Sequence, residues 1–248
     1  MNKWTEGPWR IGLPEMESKR ETVAVIIASF GPDVEFWTRL GSRAAASVAA
    51  QTRPPETIIR RHWILETPRY PSLQRYPSLG TLRNLAAGVD TEADWYCFLD
   101  ADDELEPQYV EAMLAGTGDV RFPNVRILMD TPDEKIALPP AFMVQPKASL
   151  FDGNHIVVGA FIRSSLFWHI GGFGNWDACE DWDLWLRAQI SGGIIEHVPG
   201  AIYRQHWREG SRNQMERRRY SLLCDEIRKG ARAWQLHAGM LWKREGGI

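Results

Sequence analysis

Apolar residues along the chain change their spacing at regular intervals, and the changes mark out alternating strands and helices. "TVAVIIA" (22–28) is a continuous β-branched run, the pattern of a strand buried on both faces of a parallel sheet. After "SFGPD" the spacing becomes helical from about Val34 to Ala50 and stops at "TRPPE", where proline cannot continue it. "TIIRRHWIL" (57–65) predicts a second strand. The Pro- and Tyr-rich duplication "RYPSLQRYPSL" (69–79) predicts a loop, and Ser78 to Val89 a helix with Ser78 as its N-cap. "WYCFL" (95–99) predicts a third strand, followed by a helix from Pro107 to about Leu114 with proline in its first turn. This alternation predicts βαβ units, hence an α/β fold with a Rossmann-like, mostly parallel central sheet flanked by helices.

The second half is less regular. "DVRFPNVRILMD" and "EKIALPPAFMV" predict a strand pair, "HIVVGAFI" a further strand, "SSLFWHI" a short helix and "GGFG" a turn. "CEDWDLWLRAQI" predicts a helix with Leu184, Trp185 and Ala188 on one face and an Asp183–Arg187 pair on another. The strand "IIEHVPGAIYRQH" is followed by a helical tail from about Gln214 to Trp242, locally basic at Arg217, Arg218 and Arg219. That run fits a solvated helix face or a partner-binding patch.

Composition narrows the class. With 248 residues, 44% of them hydrophobic, the chain can bury a large core. A formal net charge of −3 excludes a molecule-wide nucleic-acid-binding field. Cys97, Cys179 and Cys224 are far apart and never in CxxC spacing, which argues against a disulfide scaffold or a zinc site and for a reducing compartment. The N-terminus has no apolar signal region, and the longest apolar run is too short to span a bilayer. A soluble, cytoplasmic protein is expected. Its tail residues Trp234, Trp242, Lys243 and Arg244 are placed to pack on the domain, on a second copy as a homo-oligomer, or on a membrane surface. Twelve tryptophans suit core packing, and their faces also suit sugar rings.

Three carboxylates, Asp100, Asp102 and Asp103, follow the third strand. In an open parallel sheet, ligands bind beyond the carboxyl ends of the strands. Alternate residues of an extended segment point the same way, so Asp100 and Asp102 can offer two hard oxygens to one cation. Mg²⁺ or Mn²⁺ suits such oxygens and keeps positions open for substrate phosphates.

The order "VAVIIASFG…SVAAQTRPPETII…TLRNLAAGV…WYCFLDADDELEP…VVGAFIRSSLFWHIGGFG…CEDWDLWLRA…AIYRQH" resembles the family 2 glycosyltransferases of the GT-A fold, from about Thr22 to about Ser211. The resemblance implies metal-dependent transfer of a sugar from a nucleotide-diphosphate donor, with inversion, to an acceptor hydroxyl. It implies an N-terminal extension (1–21) and a GT-A domain (22–212) made of a nucleotide-binding half (22–106) and an acceptor and catalytic half (107–212). A helical tail (213–248) follows. Asp102, Asp100 and His206 are then the expected metal ligands, Asp100 also touching the donor. Asp181 is the expected base and Glu180 its neighbour, at a helix start that favours ionised carboxylates. Ser29, His62, Arg83, Arg204 and Arg212 are expected around the donor, and Trp182 and Trp176 around the acceptor. The chain departs from the family pattern at the second strand. Arg61 and His62 stand where acids are expected, so GDP- and dTDP-sugars stay open beside a UDP-sugar. His62 can donate to a base carbonyl and Trp63 can stack on the base. A glycan, a lipid-linked sugar, a protein side chain or a modified nucleic-acid base would each serve as acceptor, the acidic balance weighing against DNA.

Two other classes share parts of this pattern. Phosphohydrolases of the haloacid dehalogenase type also follow an apolar strand with DxD, but usually near the chain start and with Thr or Val where Glu104 stands here. A non-catalytic glycan- or nucleotide-binding relative would keep the fold with a decayed donor pocket.

Overall fold

Strand β1 (Val23–Phe30) is buried on both faces, and its alternation separates two cores. Val23, Val25 and Ile27 face one side with Ala44, Val48, Trp95, Cys97 and Leu99; Ala24 and Ile26 face the other with Ile59, Tyr96, Phe98 and Ala86. A strand with helices packed on both sides needs apolar residues at every position, as the sequence predicts. The computed structural model describes residues 20–31, 33–63, 77–89, 92–130, 135–137, 149–176, 178–207 and 217–244.

The remaining strands are β2 (Thr57–Trp63), β3 (Trp95–Asp100), β4 (Glu104–Leu105), β5 (Val120–Asp130), β6 (Lys135–Ala137), β7 (Phe161–Arg163) and β8 (Ile195–Trp207). They form one sheet in the order β2-β1-β3-β7-β5-β8-β4, with β6 paired to β5. Strands β1, β2, β3, β5 and β8 run one way and β4, β6 and β7 the other. The sheet is thus mostly parallel in direction, with antiparallel strands wedged into its second half.

Helices α1 (Val34–Ala49), α2 (Leu79–Ala87), α3 (Tyr109–Leu114), α4 (Ser164–His169), α5 (Glu180–Ile190) and α6 (Arg217–Arg244) cover the faces. Ser78 caps α2 by accepting from the Thr81 N–H, and Asp33 caps α1 from Phe36. Helices α1 and α3 lie on one core; α2, α4, α5 and the tail helix α6 share the other. Among the described residues, no helix is long and apolar enough to cross a membrane.

Two elements differ from expectation. Of "HIVVGAFI", only Phe161 begins strand β7 in the described structure together with Ile162. The segment before it cannot join the ladder, because the Gly159 carbonyl accepts from the Tyr109 hydroxyl (2.8 Å) and the Cys97 thiol (3.2 Å). Helix α5 is buried around most of its circumference, since α6 lays Cys224, Ile227 and Ala231 against the same core. The Asp183–Arg187 pair therefore forms inside the protein, at 2.6 Å, where Arg187 also donates to the carbonyls of Ile170 and Gly172. The duplicated "RYPSLQRYPSL" lies mostly outside the described residues.

Candidate active site

Parallel strands β1, β2 and β3 end together, which brings their last residues to one edge. Register pairs Ser29 with His62 and Ala28 with Asp100. Ser29 Oγ and His62 Nδ1 are 3.1 Å apart, and both side chains belong to the expected donor side. His62 Nε2 is buried without a hydrogen-bond partner.

Immediately after β3 the chain turns. The Asp103 N–H donates to the Asp100 carbonyl at 3.0 Å, and the turn gathers the carboxylates of Asp100, Asp102 and Asp103 to within 4.8 Å of one another. A turn, rather than the alternation of an extended strand, brings these acids together. Helix α1 fixes it from outside, with Arg43 donating to the Asp102 carbonyl at 2.6 Å.

The three acids are not equivalent. Asp100 and Asp102 are half-buried, but Asp103 is buried. Its two oxygens accept from the Tyr203 hydroxyl (2.7 Å) and the His206 N–H (2.8 Å). Burial, and then the charges of Asp102 and Asp100, push its pKa well above the usual carboxylate range. Asp103 fastens the turn to β8 and is not solvated. The carboxylates of Asp100 and Asp102 are hard oxygen donors of the kind that fit Mg²⁺ or Mn²⁺. The acidic group assembled by the fold is Asp100, Asp102 and Asp103, and the His206 Nε2 lies 2.9 Å from Glu104.

The second half of the site starts at α5. Cys179 precedes it in the left-handed region (φ 57°), unusual for a residue with a side chain. Glu180 is buried, and Asp181 is half-buried. Asp181 accepts from Asn154 Nδ2 (3.1 Å) and from the Trp182 N–H (2.8 Å). Desolvation first, and the charge of Glu180 second, raise its pKa to about 7, against the opposing pull of Arg83. A carboxylate poised near neutrality suits a general base.

Helix α2 joins the two halves. Arg83 is only 3% exposed; Nη2 bonds to Asp100 and Nη1 donates to Glu180 at 2.6 Å. Its neighbour Asn84 donates to the Phe173 carbonyl and accepts from the Phe173 N–H, each at 2.9 Å, so that one amide holds the "GGF" turn. Gly172 has a positive φ of 66°, and a Cβ there would lie 2.6 Å from Asn84 Oδ1. Glycine is required by both conformation and space. This bridging role of "RN" is not apparent in the sequence, which places Arg83 around the donor.

Other expected residues fall elsewhere. Arg204 pairs with Glu106 at 2.6 Å, as Arg126 does at 2.8 Å, so its charge is engaged on the outer sheet. Trp182 is a correction: it is 1% exposed, donates to the Leu150 carbonyl, and lies under the Arg228 guanidinium. A side chain covered in this way has no face for an acceptor. Trp176 is half-buried beside Gly174. Arg212 lies outside the described residues.

The strand order and directions give an α/β fold with a mostly parallel sheet, and solved structures place it among GT-A-like folds. Crystal structures of S. aureus TarS share this fold. The TarS 1-349 complex with UDP-GlcNAc matches with a TM-score of 0.55 at 14% identity, covering 79% of this chain and 61% of that one. The complex with UDP gives 0.52 at 14%, covering 75% and 60%. The chain thus spans about three-fifths of those TarS chains. No family model matches the chain, and no curated protein does.

Proposed function

We propose that this chain is an inverting, metal-dependent glycosyltransferase of the family 2 type that uses a nucleotide-diphosphate sugar, with a UDP-sugar as the first choice of donor. The observation that carries the reading is the pairing of two acidic centres through Arg83. One is a turn with two half-exposed carboxylates; the other is Asp181, whose pKa near 7 lets it accept a proton at neutral pH. The binding of UDP and UDP-GlcNAc by TarS, of the same fold, supports the donor class.

In this mechanism Asp100 and Asp102 would hold Mg²⁺ or Mn²⁺, which when bound neutralises charge developing on the diphosphate leaving group. Ser29 and His62 lie at the ends of β1 and β2, where the nucleoside end of a donor would enter. Asp181 takes the proton of the acceptor hydroxyl as it attacks the anomeric carbon from the face opposite the diphosphate, so the configuration inverts. Glu180, buried against Arg83, keeps the start of α5 in place. Trp176 is the aromatic surface assigned to the acceptor.

A thermal-shift panel of UDP, GDP, dTDP, CDP and ADP, each with and without Mn²⁺, tests the reading. One nucleotide should stabilise the protein only with metal, and Asp102→Ala should abolish that dependence. An unchanged Mn²⁺ dependence in Asp102→Ala, or no shift with any nucleotide at millimolar concentration, would overturn it.

A further inference from the structure

Arg83 bonds to both acidic centres, and its guanidinium is divided between them. One arm bonds to Asp100 of the acidic turn, the other to Glu180 at the start of α5, and the plane lies 5.4 Å from the Phe173 ring. These carboxylates come from elements 80 residues apart in sequence, Asp100 closing β3 and Glu180 opening α5. A buried guanidinium can bind both at once because its donors form a rigid planar fork; an ammonium is a single point charge.

Sharing has an energetic consequence. The attraction that Arg83 offers Asp100 depends on how much of it Glu180 draws away, and a divalent cation arriving on Asp100 competes with Arg83 for the same carboxylate. We propose that Arg83 is a positioning residue that couples cation binding at the acidic turn to the charge on Glu180, beside the base Asp181. The proposal rests on the metal reading of the turn given above. In the loaded protein, Asp100 turns toward the cation and Arg83 bears more fully on Glu180, so the catalytic end of α5 is held most firmly when donor metal is present.

The test is a calorimetric titration of the full chain with Mn²⁺ alone at fixed pH, on the wild type, Glu180→Gln, Arg83→Lys and the double variant. Glutamine removes the charge on residue 180, so the Arg83 charge bears more fully on Asp100, and the Mn²⁺ dissociation constant should rise at least threefold. In the Arg83→Lys background the same substitution should change it less than twofold, because an ammonium lacks the planar fork that fixes one arm on each carboxylate. Equal effects in the two backgrounds would overturn the coupling while leaving the metal site intact. Glu180→Gln keeps side-chain volume and an acceptor for Nη1, so if Arg83→Lys does not fold, the first comparison decides alone: unchanged affinity overturns the proposal. A wild type that binds no Mn²⁺ overturns the metal reading itself, a result distinct from either.

Discussion

The sharpest test of the catalytic assignment is the pH dependence of turnover in the wild type and in Asp181→Asn. Asp181 is half-buried and beside Glu180, which raises its pKa to about 7. Below that pH it is protonated and cannot accept a proton; above it the base is available, so activity must rise with pH. For one group titrating near 7, about one-tenth is ionised at pH 6 and about nine-tenths at pH 8, a roughly tenfold rise in kcat. Asparagine preserves the shape and an acceptor for Asn154 or Trp182 but no proton acceptor of carboxylate strength, and should lower kcat by about 10²–10⁴-fold. The assay is release of nucleoside diphosphate from a sugar donor carrying the nucleotide that the thermal-shift panel selects, at saturating donor and Mn²⁺, with water as the acceptor when no better one is supplied. The stability of the same proteins gives an opposite sign. A raised folded-state pKa means that the folded chain holds the proton more tightly, so stability through this group falls as pH rises from the ordinary carboxylate range through about 7. Asp181→Asn should lose that component while losing activity. A flat profile between pH 6 and 8, or the same inflection in the residual activity of Asp181→Asn, would refute the assignment.

Three further predictions concern the frame around the site, each measured by urea denaturation. Asp183→Ala leaves the buried Arg187 guanidinium without its carboxylate; breaking such a pair costs about 3–5 kcal/mol and should lower the melting temperature by roughly 6–20 °C for a chain of this size. Asp103→Ala removes the acceptor of both Tyr203 Oη and His206 N, at about 1–3 kcal/mol for each stranded donor. Asp103→Asn, in metal-free buffer, should cost less and flatten the fall in stability with rising pH, since burial and the neighbouring acids raise the Asp103 pKa. Gly159→Ala would place a Cβ 2.3 Å from the Tyr203 ring, and the overpacking should cost about 1–3 kcal/mol; a neutral result would show that Tyr203 is free to move.

The fold was legible because its strongest signals are local. The runs "VAVIIA" and "WYCFL" have no polar position to turn toward water, and Ser78 and Asp33 carry their caps in their own side chains. Segments whose backbone is satisfied by side chains were not legible. Nothing in "HIVVG" announces that Tyr109 and Cys97, some fifty to sixty residues earlier, will occupy the Gly159 carbonyl and keep it from a strand. The burial of Trp182 was equally hidden, because it depends on α6 and on the Leu150 carbonyl, not on any spacing within α5.

In the site, the acids were legible as residue types, but their division of labour was not. Asp100, Asp102 and Asp103 look alike in sequence; the hydroxyl of Tyr203 and one backbone N–H from His206 make Asp103 a fastening to β8. Arg83 shows the same limit from the other side. A lone arginine on a helix facing a sheet edge reads as a contact for phosphate, because phosphate is the anion that such an edge commonly receives. Here the protein supplies the anions itself. Asp100 and Glu180 both bond to the Arg83 guanidinium, so a single positive charge serves two carboxylates. The excess is what a divalent cation would balance, which ties the case for a metal to the buried arginine as well as to the acids.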